Sequence, residues 1–530
     1  MRYSRFARAV LTSAAFVACL AVSPAALAQA TSFTQSLAQS ASADEAIAAW
    51  YRQTGYRTLW TGEADSARRT AFLSAIAGAA DHGLPVQRYD AKALTEAYQM
   101  ATTEGDRGRL EVRMTRAYLA WARDLSSGAL TPQAILPAIV RDIAVTDPAT
   151  HLRAIAAGDP AQVLAGLMPS SQVYAQLVKG KIALEARIAG GGWGPAVTGN
   201  PAPGGSGPDV VALRDRLVAM GYMPTSATRT YDSQVSAAVQ QFQLDHGLPA
   251  DGVATAATLA ELNTPPEDRL QAVIVALERE RWLDIDRSGR YIWVNLPDFT
   301  ARIMQDGKTV FQTRAVIGMN QADRETPEFS DTMEFMVINP SWSVPRSITV
   351  KEYLPLMQRN RNAAGQLQVI DRNGRVVPRG SVNFAAYSAK TFPFALRQPP
   401  SDDNALGKVK FMFPNPNNIY LHDTPAKSLF LQEVRAFSHG CIRLAEPFDF
   451  AYALLSSQTD APEAEFARYL DTGAESPVML ETPLPVHLVY YTAYPSTKGR
   501  ITYRRDIYGR DAALFDALTE AGVVPGGVQG

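Results

Sequence analysis

Cysteine is nearly absent from these 530 residues. Only Cys19 and Cys441 occur, which excludes a disulfide framework. An excess of charge of one sign is missing too: 51 Lys and Arg stand against 52 Asp and Glu, a net charge of -1. General nucleic-acid binding needs a basic face, and this balance argues against one. Histidine is scarce, at six residues. Beyond Val22 no run of about 18 apolar residues occurs, so no membrane span is expected in the mature chain. What is present is a globular composition, 46% hydrophobic and 19% charged, which excludes a disordered chain or a low-complexity fibre. At about 150 residues per domain the length allows three or four domains.

The first segment reads as a leader. Arg2, Arg5 and Arg8 precede an apolar run over 9–22, Ser23 and Pro24 break it, and Ala26-Leu27-Ala28 offers a small-x-small cleavage site. The run is too short to span a membrane, so 1–28 is expected to be a secretory signal peptide. Phe16-Val17-Ala18-Cys19 hints at a lipoprotein box, but apolar residues continue past Cys19 to the better site. The mature chain then keeps one thiol, Cys441. It is either a buried small hydrophobe or a reactive group, and its neighbours must decide.

Residues 29–190 carry apolar side chains at helical spacing over 43–51, 68–80 and 110–125, punctuated by Gly83, Pro85, Gly128 and Pro132. They read as a helical scaffold domain without a catalytic constellation. The stretch 191–208 is rich in Gly and Pro and reads as a linker. Over 209–263, Leu213, Leu217 and Gly221-Tyr222 are followed by Tyr231-Asp232, Val239, Phe242-Gln243, Gly247-Leu248, Asp251-Gly252 and Leu262-Asn263. In that order these residues resemble the small three-helix peptidoglycan-binding domain, which implies affinity for cell-wall glycan or stem peptide.

Past 264 the pattern changes. After a linking helix over 270–282, alternation over 291–296 and 300–304, a hairpin signal at Asp306-Gly307, and further β pattern over 309–317 and 333–338 predict a β-rich domain. This unit, 264–511, is interrupted at 346–393 by a helix and a hairpin around Asn373-Gly374. That stretch is too long for a bare loop and reads as an inserted lid subdomain. Residues 512–530 are left as a tail. The fold class is thus multidomain α+β, with a helical N-terminal scaffold, a three-helix binding domain and a β-rich domain.

The chemistry concentrates in Tyr420-Leu421-His422-Asp423 and Ser438-His439-Gly440-Cys441-Ile442-Arg443. Two of the six histidines and the mature chain's only cysteine lie within these clusters. A thiol near pKa ~8.5 is mostly protonated at neutral pH, so thiol chemistry needs a base. A neighbouring histidine supplies it, and a third group must set the histidine's tautomer. Gly440 allows close backbone approach, backbone N–H groups could hold an oxyanion, and Arg443 could bind a carboxylate or brace the loop. Spacing does not choose between His422 and His439 as base. A catalytic thiol would be expected to titrate below the ordinary value, a mere scaffold thiol at it.

A histidine, fifteen intervening residues, then Ser-His-Gly-Cys, an apolar residue and Arg resemble the L,D-transpeptidase signature. Asn339-Pro340-Ser341-Trp342, Asn404-Ala405-Leu406-Gly407, Lys410-Phe411-Met412-Phe413-Pro414-Asn415 and the run from Arg504 to Asp511 agree with it. With the helical part and the binding module, the chain resembles the large multidomain Gram-negative L,D-transpeptidases, the YcbB type, built on the YkuD-type catalytic domain. The resemblance implies a β-sandwich catalytic domain in the periplasm, active in cell-wall biogenesis and cell shape. It implies Cys441 as nucleophile and His422 as base, oriented by the backbone carbonyl of Asp423. His439 and Gly440 would shape the oxyanion site, with the Cys441 N–H as donor. Ser438 and Arg443 would brace the loop or contact substrate, and Tyr420, Trp342 and Phe411 would wall the stem peptide. Neither metal nor organic cofactor is implied. The thiolate would attack a tetrapeptide stem, D-alanine would leave, and a diaminopimelate amine of a second stem would complete a 3-3 cross-link. Carbapenems would acylate Cys441. Cell-wall synthesis enzymes are the other partners to expect.

Other classes fit less well. A zinc site has ligand types in His422, Asp423, His439 and Cys441, but no usual zinc spacing. A sortase lacks Ser-His-Gly-Cys, and papain-like and endopeptidase cysteine enzymes place the cysteine before the histidine. Water as acceptor would make an L,D-carboxypeptidase, a lipoprotein lysine an attachment enzyme, and a dead site a peptidoglycan-binding scaffold.

Overall fold

The computed structural model of the protein describes residues 31–283 and 285–525. The leader at 1–28, with Cys19, and the last residues of the tail lie outside them.

Side-chain caps start the N-terminal helices. Thr31, Asp44, Asp90, Thr103 and Ser171 each accept a backbone N–H three positions on, opening Ser32–Ala41, Glu45–Gln53, Ala91–Met100, Glu104–Ser127 and Gln172–Ala189. Such a cap contributes about 1 kcal/mol. The long helix Glu104–Ser127 runs through the centre of this region and buries Leu110, Met114, Tyr118, Trp121 and Leu125. It also buries Glu111. That carboxylate accepts from Tyr51 Oη at 2.9 Å, Thr61 Oγ1 at 2.7 Å and the backbone N–H of Thr61 at 2.9 Å. A buried carboxylate needs such partners.

Helix Pro266–Trp282 is the spine of the molecule. Almost every side chain from Arg269 onward is buried, because the helix is covered on several sides. Its apolar residues share one core with the N-terminal helices, with Tyr291 and Trp293, and with Leu514, Leu518 and Val523. Its charged residues are paired. Arg279 meets Glu328 at 2.5 Å and Asp511 at 3.0 Å, and Arg281 meets Glu278 at 2.7 Å. The core of the helical region therefore extends beyond 29–190. The tail expected at 512–530 is, over its described part, largely the helix Arg510–Glu520, whose apolar face completes that core.

The binding module holds three helices, Pro208–Ala219, Ser233–Asp245 and Ala256–Leu262, around Leu213, Leu217, Val235, Val239 and Phe242. The Gly/Pro-rich stretch before it is pinned at Val197, which is buried and exchanges two hydrogen bonds with the Asn263 side chain, at 2.8 and 2.9 Å.

The β-rich domain contains β1 (Arg290–Asn295), β2 (Thr300–Gln305), β3 (Lys308–Gly318) and β4 (Phe329–Ile338). Then come β5 (Trp342–Ser343), β6 (Gln368–Ile370), β7 (Val376–Val377) and β8 (Ala395–Gln398). They are followed by β9 (Val409–Met412), β10 (Leu421–His422), β11 (Ala436–Ser438), β12 (Ile442–Leu444) and β13 (Ser476–Val489). Nine strands make one sheet in the order β11-β3-β12-β10-β9-β4-β13-β1-β2, and β2 also pairs with β3. The two layers expected of a sandwich are thus one sheet that closes on itself. Closure leaves no free edge along that ring. The interior is filled by alternate residues such as Ile292, Ile303, Ile317, Met336, Phe411, Leu421 and Ile442, with helix Pro447–Leu455 adding Phe450 and Leu454.

The insertion has its own sheet, in the order β5-β8-β6-β7, and its own core of Ile348, Leu354, Met357, Val369, Phe384 and Leu396. Because the entering strand β5 pairs with the leaving strand β8, the sheet takes in Trp342 and Gln398, outside the 346–393 read from sequence.

Leu514→Ala removes a wholly buried side chain from the C-terminal helix. It is expected to lower stability by about 2–5 kcal/mol in denaturant unfolding. A loss below about 0.5 kcal/mol, typical of a surface substitution, would show that this helix is not part of the core.

Candidate functional site

Alternation on the barrel wall explains which side chains reach the site. On β9, β10 and β12 the residues Val409, Phe411, Leu421, Ile442 and Leu444 point into the barrel. Their neighbours Lys410, His422 and Arg443 point out of it. There the wall and the lid enclose a cleft of about 800 Å³, lined by Cys441, His422, Tyr420, Asn418, Ser438, His439, Arg443 and Lys410 from the barrel side and by Trp342, Glu352 and Tyr353 from the lid.

His422 is buried at the end of β10. Its Nδ1 lies 2.5 Å from the backbone carbonyl of Asp423. A carbonyl only accepts, so Nδ1 carries the proton and Nε2 keeps its lone pair. The Asp423 side chain faces away from the cleft. It accepts from Lys408 N at 2.9 Å, Thr424 N at 2.7 Å and Lys427 Nζ at 2.7 Å. It packs so closely on Gly407 that a Cβ there would stand 2.2 Å from a carboxylate oxygen, at a backbone φ of +61°. Only glycine fits that turn.

The loop before Cys441 is tied down at each residue. Ser438 Oγ donates to the Cys441 carbonyl at 2.5 Å and accepts from Gly440 N at 3.1 Å. Gly440 adopts φ +116°, and its carbonyl accepts from Thr326 Oγ1 at 2.7 Å. The Gly440 N–H is therefore engaged. The Cys441 N–H makes no hydrogen bond among the described residues, and is free for a developing oxyanion. His439 Nε2 lies 2.7 Å from Glu352 Oε1 of the lid, and the same carboxylate takes Arg324 at 2.9 Å.

Cys441 is part-exposed and its Sγ lies 3.6 Å from the carbonyl of Asn418. Asn418 holds that carbonyl in a left-handed backbone conformation, φ +52°. Burial pushes the thiol up to about 11, against the opposing pull of Tyr420 and of the Arg443 charge. Burial also pushes His422 down to about 3, with Arg443 and Lys410 adding repulsion. The depressed thiol titration expected of a catalyst is thus not what the resting site has. Near neutrality both groups are thus uncharged in the resting site, which is not a standing ion pair.

Residues 289–460 match the family model of the YkuD L,D-transpeptidase catalytic domain, residues 45–180 that of a scaffold domain, and residues 206–262 that of the "Putative peptidoglycan binding domain". The chain carries an L,D-transpeptidase catalytic domain. A Haemophilus influenzae protein named "Putative L,D-transpeptidase" is 32% identical over 225 residues, 42% of this chain and 45% of that one. This chain thus spans less than half the length of that relative. Two solved L,D-transpeptidases each match 56% of this chain at 16% identity. The one from Xylanimonas cellulosilytica is covered to 100% with a TM-score of 0.17, and the one from Stackebrandtia nassauensis to 96% with a TM-score of 0.22. Overlaps this small carry no argument here.

Of the residues singled out by sequence in this transpeptidase domain, Cys441, His422, His439, Ser438, Arg443, Tyr420 and Trp342 line one cleft, and Asp423 and Gly440 adjoin it. Phe411 does not. It is fully buried in the barrel, its ring 4.8 Å from that of Phe450, because it alternates inward from Lys410. The cleft residue of that motif is Lys410. Its position was readable from the period of two in Lys410-Phe411-Met412-Phe413. Glu352 and Arg324 carried no local signal, since they approach the loop only through the fold. Asn418 sits in the turn cluster Asn415-Pro416-Asn417-Asn418, a signal for unusual backbone but not for a thiol partner.

Alkylation of Cys441 by iodoacetamide is expected to be slow at pH 7. Its rate should keep climbing past pH 9 and level off near the raised value of about 11, as the thiol finally ionises. A plateau reached below about pH 8.5, the ordinary thiol range, would mean a thiolate already stabilised in the resting protein.

Proposed function

We propose that this protein is an exported, periplasmic L,D-transpeptidase that forms 3-3 peptidoglycan cross-links through a Cys441 acyl-enzyme. The observation that carries the reading is the convergence of Cys441 and a His422 fixed in its Nε2-basic tautomer on one lidded cleft. The matched catalytic and peptidoglycan-binding domains support it.

In the first half-reaction His422 Nε2 takes the thiol proton as Sγ attacks the carbonyl of diaminopimelate, the third stem residue. The oxyanion forms against the free N–H of Cys441. The imidazolium returns its proton to the departing amine, and D-alanine leaves. In the second half-reaction the side-chain amine of another stem's diaminopimelate attacks the thioester, His422 again accepts a proton, and the thiol is restored. The Asp423 carbonyl favours the imidazolium at each transfer, since its acceptor faces the Nδ1 proton throughout.

The test is mass spectrometry of products after purified mature protein meets disaccharide-tetrapeptide, beside Cys441→Ala. A cross-linked dimer lacking one D-alanine, abolished in the variant, is expected. Tripeptide alone would move the assignment to a carboxypeptidase. No product and no carbapenem adduct on Cys441 would favour a non-catalytic wall-binding scaffold. His422→Ala should lower the acylation rate by about 10²–10⁴-fold, the range of general-base catalysis. An unchanged rate would assign the base elsewhere.

A further inference from the structure

Strand register sets three side chains in one row on the cleft floor. Lys410 of β9 is paired with His422 of β10, and His422 with Arg443 of β12. All three line the cleft. Directly paired residues on neighbouring strands stand about 4.5–5.5 Å apart at Cβ. The base therefore lies between two cations.

Neither cation is satisfied by the chain. The Lys410 ammonium makes no hydrogen bond among the described residues. Its ion-pair partner Glu475 stands at the limit of 4.0 Å, and that same carboxylate oxygen takes the Ser341 N–H at 3.1 Å. Arg443 has no carboxylate partner among the described residues, and its Nε is buried without an acceptor. The cations on the lid side are different. Arg324 is paired with Glu352, Lys351 with Asp323, and Arg346 donates to the carbonyl of Ala389 at 3.0 Å. Arg346 likewise has no carboxylate partner among the described residues but donates to a carbonyl, so the cleft cations with neither a close carboxylate nor a side-chain hydrogen bond are the two on its floor. Two partly desolvated cations flanking one imidazole are costly unless an anion completes them.

We propose that Lys410 and Arg443 form a receptor for carboxylate groups of the donor stem peptide, one on each side of His422. The proposal rests on the transpeptidase reading above. A tetrapeptide ending in diaminopimelate and D-alanine carries two carboxylates near its scissile bond, one at the terminus and one on the diaminopimelate side chain. Either is an anion of the required kind, and a neutral amide in its place is not. The receptor has a consequence for the base. The charged and ionisable groups facing His422 are Lys410, Arg443, Cys441 and Tyr420. A seated carboxylate offsets the two positive members of that set, so the imidazole becomes a stronger base when a donor is in place.

The experiment measures binding of three stems to the Cys441→Ala protein by calorimetry: the tetrapeptide, its D-alaninamide form, and the form amidated on the diaminopimelate side chain. Adding Lys410→Met is expected to weaken the tetrapeptide at least about tenfold, the usual loss for a charge-assisted contact. The stem amidated at the carboxylate that Lys410 holds should lose under about twofold, which identifies the group. Lys410→Arg should restore most of the affinity. Equal losses on all three stems, or none, would overturn the receptor. Acylation of Cys441 in the otherwise unaltered protein tests the underlying reading separately. A protein that acylates equally well from acid and amide stems overturns the receptor and leaves the transpeptidase standing.

Discussion

Four buried charges hold this molecule together. Arg279 of the spine helix and Arg510 of the C-terminal helix share Glu328, which stands at the start of β4, and Arg279 also holds Asp511. Each alone would be an uncompensated charge in a dry interior. Removing one partner from such a set costs about 3–5 kcal/mol, although the intact set need not exceed an apolar equivalent. Its value here is geometric. Arg510 also donates to the Thr326 carbonyl at 2.8 Å, and Thr326 donates to the carbonyl of Gly440 at 2.7 Å. A short chain of bonds thus runs from the scaffold core to the residue before the nucleophile. The loop before Cys441 is shaped partly by elements more than a hundred positions away in sequence, such as Arg279 and Glu328.

The barrel supplies the second constraint. A closed sheet fixes the register of every strand, and register fixes which side chains share a face. His422 cannot turn into the cleft without Lys410 and Arg443 turning with it, since the in-register alternates Leu421, Phe411 and Ile442 are needed in the core. The base thus inherits two cationic neighbours from the packing of the wall. The lid adds a third contact by a different route, placing Glu352 against His439, while the His422 ring is hydrogen-bonded, among the described residues, to the Asp423 carbonyl alone. The two histidines that spacing alone could not tell apart are separated by what the fold brings to each.

Local pattern carried the parts of this fold whose determinants are local. The hairpin at Asp306-Gly307, the three helices of the binding module and the Ser-His-Gly-Cys cluster all lie within short stretches, and each is visible as periodicity, turn chemistry or motif. The limits show at Phe411, at the C-terminal helix and at Glu352. Phe411 lay in a motif rich in aromatics, and membership of the motif does not say which alternate faces the core. Leu514 and Leu518 stand at helical spacing in a stretch that reads locally as a tail, because their partners come from the other end of the chain. Glu352 reaches the loop from an inserted subdomain. Closure of the sheet through β2 and β3 is likewise a long-range property, invisible in strands that read the same in a sandwich.

A raised thiol beside a weakened imidazole looks at first like a poor catalyst. The opposing consideration is the fate of an idle thiolate. The thiolate is the form that alkylating agents and oxidants attack, and oxidation past the sulfenic state is not readily reversed. With no second thiol among the described residues to resolve a sulfenic acid, Cys441 gains from staying protonated in the empty cleft. Burial holds the thiol in that state, and burial with the two flanking cations keeps the neighbouring imidazole neutral. The groups that favour ionisation, namely the Tyr420 hydroxyl and N–H and the Arg443 charge, are already in position. An anion seated on the cleft floor would offset the two cations beside His422 and so strengthen the imidazole as the acceptor of the thiol proton. On this account the perturbed values describe a site tuned to its occupied state, with the substrate's own carboxylate completing the electrostatics of the reaction.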